Sequence, residues 1–269
     1  MKNFAKELLV RPGSRVKLDD LDASDTHGLQ KSKVEDLFPK VVDRLSVLQY
    51  LLYADARHAL LVVLQGIDAA GKDGTIRHVM TGLNPQGVRV TSFKAPEGPE
   101  KRHDYLWRVH QAVPERGQIG IFNRSHYEDV LIVRVHNLVP KSVWSERYRQ
   151  INDFEKMLSQ NDVRIVKLLL YIDRDEQAKR FRERIDDQTK NWKFSMEDLK
   201  EREHWDEYIQ AYEAMLHQCS TDYAPWYVIP ANRKWFRNYA VARIVRDELE
   251  AMDLKYPKST ADLCGIKFE

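Results

Sequence analysis

The chain contains 269 residues, of which 43% are hydrophobic and 31% are charged. A chain of this length and composition can bury one sizeable core, and it fits a single α/β domain with an insertion. The formal net charge of +2 argues against wholesale binding to nucleic acid, although the 43 basic and 41 acidic residues can be unevenly placed.

The two cysteines, Cys219 and Cys264, lie far apart and do not have the spacing of metal ligands. The N-terminal segment MKNFAKELLVRPG lacks the apolar core of a secretory signal, and the longest apolar run, residues 59–64, is too short to cross a bilayer. We therefore expect a soluble cytoplasmic protein with neither a membrane nor a nucleic-acid partner.

The hydrophobic pattern predicts helices that alternate with strands. Residues 1–30 are polar, which indicates an irregular surface arm rather than part of the core. Residues 32–57 have apolar positions at helical spacing, with a kink or a delayed start at Pro39. Five strands are predicted, at 61–64, 88–93, 119–122, 163–172 and 226–229. Further helices are predicted at 72–80, around Trp107, at 144–158, within 175–219 and at 234–252.

Strands separated by helices require crossover connections, which favour a mostly parallel sheet covered on both faces. The sequence therefore predicts one three-layer α/β domain over residues 1–269, with a five-stranded sheet. Residues 173–225, between the fourth and fifth strands, are predicted to be an inserted helical lid. Ligands of such a sheet bind beyond the carboxyl ends of its strands.

The segment LVVLQGIDAAGKDGT, residues 61–75, has the order strand, glycine-rich loop, lysine and helix. Glycines allow backbone N–H groups to surround an anion, the helix N-terminus faces the same anion, and Lys72 adds a full positive charge. The segment is therefore predicted to be a phosphate-binding loop. Its expected contacts come from Gly66, Ala69, Ala70, Gly71, Lys72, Asp73, Gly74 and Thr75.

Two acids in this loop are unusual. Most such loops place Ser or Thr after the lysine, where its hydroxyl holds Mg²⁺, but here Asp73 follows. Asp68 would repel a phosphate unless a metal ion lay between them, so we expect it to bind Mg²⁺. Asp73 is either a second metal ligand or an acid that stabilises the first helical turn.

The third strand ends in IGIFNRSHYED, where phosphate-loop enzymes usually place an acid that holds Mg²⁺. Here the position is Asn123, a weaker ligand, so a nearby carboxylate, Asp68 or Glu128, becomes more necessary. Arg124 is expected to grip phosphate oxygens, and the alternative is a structural salt bridge. Ser125 and His126 are assigned to helix capping.

The lid is predicted to carry cations towards the phosphates. Arg180 and Arg184 share a helix face, and the alternative is a solvated surface on which they pair with neighbouring acids. Trp192 stands beside Lys190 and Lys193 in a predicted loop, where a base could stack on it. Lys94, after the second strand, is a further candidate for contact with a phosphate or an acceptor.

Five separated motifs occur in an order that resembles the family-2 polyphosphate kinases, over about residues 33–250. They are GIDAAGKDGTI, FKAPEG, IFNRSHYEDVLIVRVH, WKFSMEDLKEREHWDEYIQAYEAML and DYAPWYVIPA. The resemblance implies Mg²⁺-dependent, reversible transfer of a terminal phosphoryl group between inorganic polyphosphate and a nucleotide. It also implies a P-loop kinase fold like that of thymidylate kinases, with an arginine-bearing lid. The form FNRSHYED, where other members have FDRSWY, is similar to the subgroup that accepts AMP as well as ADP.

The resemblance implies catalytic roles for Asp68, Lys72, Arg124 and Arg184. The full set of expected contacts adds polyphosphate binding by Arg180, Arg184 and Lys193, nucleotide binding by Lys94, Asn123, Arg124, Glu128 and Trp192, and metal binding by Asp68, Asp73 and Asn123. The expected partners are polyphosphate, adenine or guanine nucleotides, and further copies of the chain in a homotetramer or dimer. Two alternatives stay open: an ATP-dependent nucleoside or nucleotide kinase, and a non-catalytic polyphosphate-binding protein.

Overall fold

Six strands form one sheet in the computed structural model, which describes residues 4–260. Their spatial order is β1-β6-β5-β2-β4-β3. The strands are β1 (Leu9–Val10), β2 (Ala59–Gln65), β3 (Val88–Ser92), β4 (Ile119–Asn123), β5 (Val163–Tyr171) and β6 (Trp226–Pro230). Cys264 lies outside the described residues.

The helices connect successive strands and cover the sheet. The α-helices are α1 (Lys31–Asp55), α2 (Lys72–Val79), α3 (Trp107–His110), α4 (Ile132–Val135), α5 (Lys141–Gln160), α6 (Arg174–Asp186), α7 (Met196–Glu203), α8 (Trp205–Cys219) and α9 (Lys234–Glu250). Short 3₁₀ helices occupy Phe4–Lys6, Leu18–Asp20, Pro85–Gly87, Gly98–Arg102, His126–Val130 and Asn191–Lys193.

The five strands from β2 to β6 are parallel to one another, as predicted. Alternate side chains of β2 enter opposite cores: Leu61 belongs to the cluster packed by α5 and α8, and Leu60 to the cluster packed by α1 and α9. These two apolar layers confirm the three-layer α/β fold. Leu64 at the end of β2 pairs with Asn123 at the end of β4, so the loops after these two strands meet at one edge.

The predicted five-stranded sheet and the irregular surface arm were wrong, because the N-terminal segment adds a sixth strand. β1 pairs antiparallel with β6, with Leu9 opposite Tyr227. Phe4, Leu8 and Leu18 are buried. A strand of two residues has no alternating pattern, so nothing in the local sequence distinguishes it from the polar residues around it.

The delayed start predicted at Pro39 was wrong, because α1 begins at Lys31, whereas the helical region predicted within 175–219 is confirmed. Pro39 lies inside α1, which continues through it. A proline leaves the carbonyl four residues before it without a helix donor. Pro39 is exposed, so water can reach that carbonyl. The region predicted as helical from 175 to 219 contains three separate helices, α6, α7 and α8. Within residues 4–260, none of the helices combines the length and apolarity needed to cross a membrane.

Candidate active site

The phosphate loop follows β2 and has the backbone geometry that its glycines allow. Gly66 has φ +154°, and a Cβ there would lie 2.7 Å from the Leu170 carbonyl oxygen. Gly71, with φ +100°, directly precedes α2, and its carbonyl accepts a hydrogen bond from Thr75 Oγ1 at 3.0 Å. Only glycine adopts these positions without strain or displacement. The loop therefore turns sharply onto the N-terminus of α2, as an anion site requires.

Lys72 is buried at the start of α2. Its Nζ donates to the Gly66 carbonyl at 2.6 Å, so the side chain folds back across the loop. Burial lowers the pKa of Lys72 to about 8, the charge of Arg124 adds to this effect, and the carboxylate of Asp68 opposes it. A phosphate bound in the loop would favour the charged form of this lysine.

Arg124 and Asp68 face each other across the mouth of the loop. Arg124 Nη2 lies 2.6 Å from Asp68 Oδ1, and both side chains remain partly exposed. Arg124 has a left-handed φ of 59°, and its backbone N–H donates to the Leu64 carbonyl at 3.1 Å. Burial opposes the charge of Arg124, but the carboxylates of Glu128 and Asp68 outweigh it and raise the pKa of Arg124.

Asp73 and Asn123 form a second contact between the loop and β4. Asn123 Nδ2 donates to Asp73 Oδ1 at 2.7 Å. With Asp68, these side chains supply oxygen ligands of the type that Mg²⁺ uses. Within residues 4–260, no group of three or more His, Cys, Asp or Glu side chains is arranged to hold a metal.

Glu128 lies beside Gln65 and is not among the described residues that line the cleft. Both polar atoms of the Gln65 side-chain amide find partners in one orientation. In it, Nε2 donates to Glu128 Oε1 at 3.0 Å, and the amide oxygen accepts from the Ser125 backbone N–H. Burial raises the pKa of Glu128, while the charges of Arg124 and Lys72 oppose the rise. Glu128 therefore affects the charge balance around Arg124 and Lys72, and its proposed contact with the nucleotide stays a prediction.

Side-chain hydrogen bonds hold the segment after Arg124 in place. Ser125 caps the 3₁₀ helix that follows, since its Oγ accepts from the Tyr127 N–H at 3.1 Å, as predicted. His126 does not cap a helix; its Nε2 lies 3.2 Å from Glu155 Oε1. Glu155 also pairs with Lys167 at 2.6 Å, and both side chains of that ion pair are fully buried.

The two lid arginines differ in what they contact. Arg184 Nη1 reaches Asp198 Oδ2 at 3.2 Å, and the side chain lines the cleft with Lys193. Arg180 is 5% exposed, and its Nη1 donates to the carbonyls of Ala69 and Ala70. The predicted phosphate contact of Arg180 stays a prediction; its guanidinium is already hydrogen-bonded to the main chain of the loop.

Arg237 on α9 was not identified from the sequence. It is buried, Nη1 donates to the Ala70 carbonyl at 3.3 Å, and Nη2 donates to Asn238 Oδ1 at 2.8 Å. Burial and the nearby charge of Arg180 lower the pKa of Arg237 to about 9. Arg237 lies in the first turn of a helix among apolar neighbours, so its sequence context does not indicate a site residue. The cluster of Arg233, Lys234 and Arg237 was the only sequence feature that pointed to one.

These elements surround a cleft of about 950 Å³. The predicted site residues that line it are Asp68, Ala69, Gly71, Lys72, Asp73, Gly74, Lys94, Asn123, Arg124, Arg180, Arg184 and Lys193. Further cations in the lining are Lys190, Lys234 and Arg237, and α1 adds the apolar side chains of Val34, Phe38 and Pro39. In the described part of the chain, Trp192 lies outside this lining and is 77% exposed. Base stacking on Trp192 stays a prediction.

A mostly parallel sheet, a phosphate loop with a buried lysine and two carboxylates, and cationic helices between β5 and β6 define the chain as a P-loop phosphotransferase in fold and site. The family model described as Polyphosphate kinase 2 (PPK2) matches residues 28–257. The chain belongs to the polyphosphate kinase 2 family.

Individual relatives are similar over nearly their whole length. The chain is 52% identical to an AMP/ADP-polyphosphate phosphotransferase of Meiothermus ruber, with 94% of this chain and 96% of the relative covered. It is 46% identical to an ADP-polyphosphate phosphotransferase of Rhodopseudomonas palustris, covering 97% and 94% of the two chains. The crystal structure of polyphosphate kinase 2 from Arthrobacter aurescens TC1 aligns with a TM-score of 0.91 at 43% identity, covering 94% of this chain and 92% of that one.

Proposed function

We propose that this chain transfers the terminal phosphoryl group of inorganic polyphosphate to ADP, and also to AMP, to form ATP or ADP. The proposal rests on the cleft, in which the phosphate loop lies between two groups of cations. Lys94 and Arg124 follow β3 and β4, whereas the lid and α9 contribute the others, among them Arg184, Lys193 and Lys234. A polyanion and a nucleotide phosphate can therefore be neutralised on opposite sides of Lys72.

The reaction exchanges one phosphoanhydride bond for another. An oxygen of the nucleotide's terminal phosphate attacks the terminal phosphorus of polyphosphate, and the bond to the next phosphate breaks as the shortened polymer leaves. Lys72 and Arg124 stabilise the charge on the transferred group, and Arg184 approaches it from the lid. No covalent nucleophile is required. Because bonds of the same type form and break, direction should follow the concentrations of polymer, ADP and ATP.

We propose Mg²⁺ as the cofactor, held by Asp68 and Asp73 with help from Asn123. When bound, the ion would neutralise phosphate oxygens that these carboxylates otherwise repel. Asp68 and Asp73 would orient the phosphates by way of that ion, and the amide of Asn123 positions the carboxylate of Asp73 through the 2.7 Å hydrogen bond.

We also propose that the chain acts in the cytoplasm as a homodimer or homotetramer. Support for assembly comes from exposed apolar side chains on one part of the surface of α1, Val47, Tyr50 and Tyr53, with Tyr256 in ring contact with Tyr50. Size-exclusion chromatography with light scattering tests this proposal, and a clean monomer at micromolar concentration would contradict it.

The decisive experiment incubates purified protein with ADP, Mg²⁺ and long-chain polyphosphate and measures ATP. AMP and GDP are run in parallel to define the acceptors. ATP formation is expected for the unaltered chain and for Lys200→Ala, which removes an exposed lid lysine, but not for Lys72→Ala. Phosphorylation of nucleosides or nucleotides by ATP alone would support a nucleoside or nucleotide kinase. Binding of polyphosphate without turnover would support a non-catalytic binding protein.

A further inference from the structure

Arg180 joins the phosphate loop to the loop between β6 and α9. Its Nη1 donates to the carbonyls of Ala69 and Ala70 at 2.9 and 3.0 Å. Its Nη2 donates to the carbonyls of Ala231 and Asn232 at 2.6 and 3.1 Å. A single buried guanidinium thus holds four main-chain oxygens in two separate loops in a fixed relative position.

Asn232 continues this connection to the base of the lid. Its Nδ2 donates to Asp173 Oδ2 at 2.6 Å, and its Oδ1 accepts from the Asp173 N–H at 3.3 Å. Asp173 is the N-cap of α6, since its Oδ1 accepts from the Glu176 N–H at 2.7 Å. Asn232 Nδ2 also donates to Ser24 Oγ at 3.0 Å. The one amide therefore bonds to the first residue of the lid and to the N-terminal arm.

We propose that Asn232 is a positioning residue for phosphoryl transfer: together with Arg180 it fixes the lid helix α6 relative to the phosphate loop. The inference rests on the proposed function.

The connection matters for the reaction because α6 carries Arg184. Arg184 follows Arg180 by one helical turn, so any tilt of α6 at its N-cap moves Arg184 relative to Lys72. Gln177, on the same helix, also donates from Nε2 to the Asp68 carbonyl at 3.0 Å. Loss of the Asn232 amide should leave the helix formed but misplace Arg184, and small misplacements of transition-state groups lower turnover by as much as about 100-fold.

The first test compares Asn232→Ala with Asn152→Ala. Asn152 is a matched control, because it also makes one side-chain hydrogen bond between two elements: its Nδ2 donates to the Gln218 carbonyl at 2.9 Å and links α5 to the end of α8. This contact lies away from the cleft. For Asn232→Ala we expect kcat to fall about 10- to 100-fold while KM for ADP changes less than about threefold. For Asn152→Ala we expect a lower thermal midpoint with kcat within about twofold of the unaltered chain.

The second test exchanges the two partners. Asn232→Asp alone sets two carboxylates against each other and should lower kcat at least as much as Asn232→Ala. The double variant Asn232→Asp/Asp173→Asn restores one amide and one carboxylate, and asparagine is as good an N-cap as aspartate. We expect the double variant to recover kcat to within about fivefold of the unaltered chain.

Two results would overturn the inference. One is an unchanged kcat in folded Asn232→Ala, even with a lower thermal midpoint, since that would make the role structural only. The other is a double variant that is folded but as slow as Asn232→Asp. Polyphosphate-dependent ATP formation by the unaltered chain is measured first, so failure of the proposed function is recognised separately.

Discussion

Arg124 Nη2 and Asp68 Oδ1 lie 2.6 Å apart, so the cation that follows β4 is paired with the acid inside the phosphate loop. Both groups line the cleft, and each is available to a different part of a substrate complex. A phosphate would compete with Asp68 for the guanidinium, and a divalent ion would compete with Arg124 for the carboxylate. Substrate and metal should therefore bind cooperatively at this pair.

Replacing Asp68 by Asn tests the metal role directly. Asp68→Asn keeps the size of the side chain but removes its charge, and we expect kcat to fall by about 100-fold or more at saturating Mg²⁺. Circular dichroism should show a folded protein. The control is Asp153→Asn, which alters an exposed acid paired with Arg149. Normal turnover in folded Asp68→Asn would remove the role that we assign to this carboxylate.

Lys72 should make polyphosphate binding depend on pH. Its pKa is lowered to about 8 from the ordinary 10.5, so above pH 8 the free protein loses a charge that the polymer needs. We expect KM for polyphosphate to rise by up to about tenfold per pH unit above pH 8. Steady-state kinetics from pH 7 to 9.5 measure this, and a constant KM would contradict it.

The same lowered pKa has a consequence of opposite sign for stability. Between about pH 8 and 10.5 the unfolded chain holds a proton on Lys72 that the folded chain has released. The contribution of Lys72 to the free energy of unfolding therefore rises with pH across this window. Stability and polyphosphate affinity should change in opposite directions there, which separates a local effect on binding from general unfolding.

Gly71 should tolerate a side chain poorly. A Cβ at this position would lie 2.0 Å from Arg237 Nη1, in addition to the cost of a φ of +100°. We expect Gly71→Ala to lower kcat/KM by about 100-fold, because Arg237 and the loop must separate. Gly98→Ala is the matched control, since Gly98 also has a positive φ, +51°, but has open space around its Cβ position. An unchanged kcat/KM in folded Gly71→Ala would contradict this expectation.

The buried ion pair of Lys167 and Glu155 should be costly to break. Lys167→Met leaves the Glu155 carboxylate buried without its ammonium partner, and we expect a loss of about 3–5 kcal/mol in the free energy of unfolding. Urea denaturation measures the loss. Arg149→Ala, which breaks an exposed pair with Asp153, should cost no more than about 1 kcal/mol. A similar small cost for Lys167→Met would mean that Glu155 becomes protonated or finds another donor.

The central strands could be predicted because each is a short apolar run bounded by loop residues. β2 and β5 are buried along almost their whole length, and most of their residues are apolar. The phosphate loop could be predicted equally well, because its backbone geometry requires glycine. β1 was not predictable, since its stability comes from pairing with β6 and from burial of Leu8 and Phe4, which only the folded chain provides.

The candidate site could be predicted where the chemistry requires a particular residue type. It was less predictable where tertiary contacts determine what a side chain touches. Helical spacing placed Arg180 and Arg184 on one face, but spacing cannot show that one of them meets the carbonyls of Ala69 and Ala70. Arg237 was missed for the same reason: its significance comes from an approach of α9 to Gly71 that no local pattern encodes.

The left-handed backbone of Arg124 has a consequence for how this protein can be improved. A non-glycine residue at φ 59° carries a conformational cost, and glycine or asparagine would relieve it. A search for heat-resistant variants would thus tend to discard the guanidinium that we propose stabilises the transferred phosphoryl group. At this position, a substitution that increases conformational stability is expected to decrease catalytic activity.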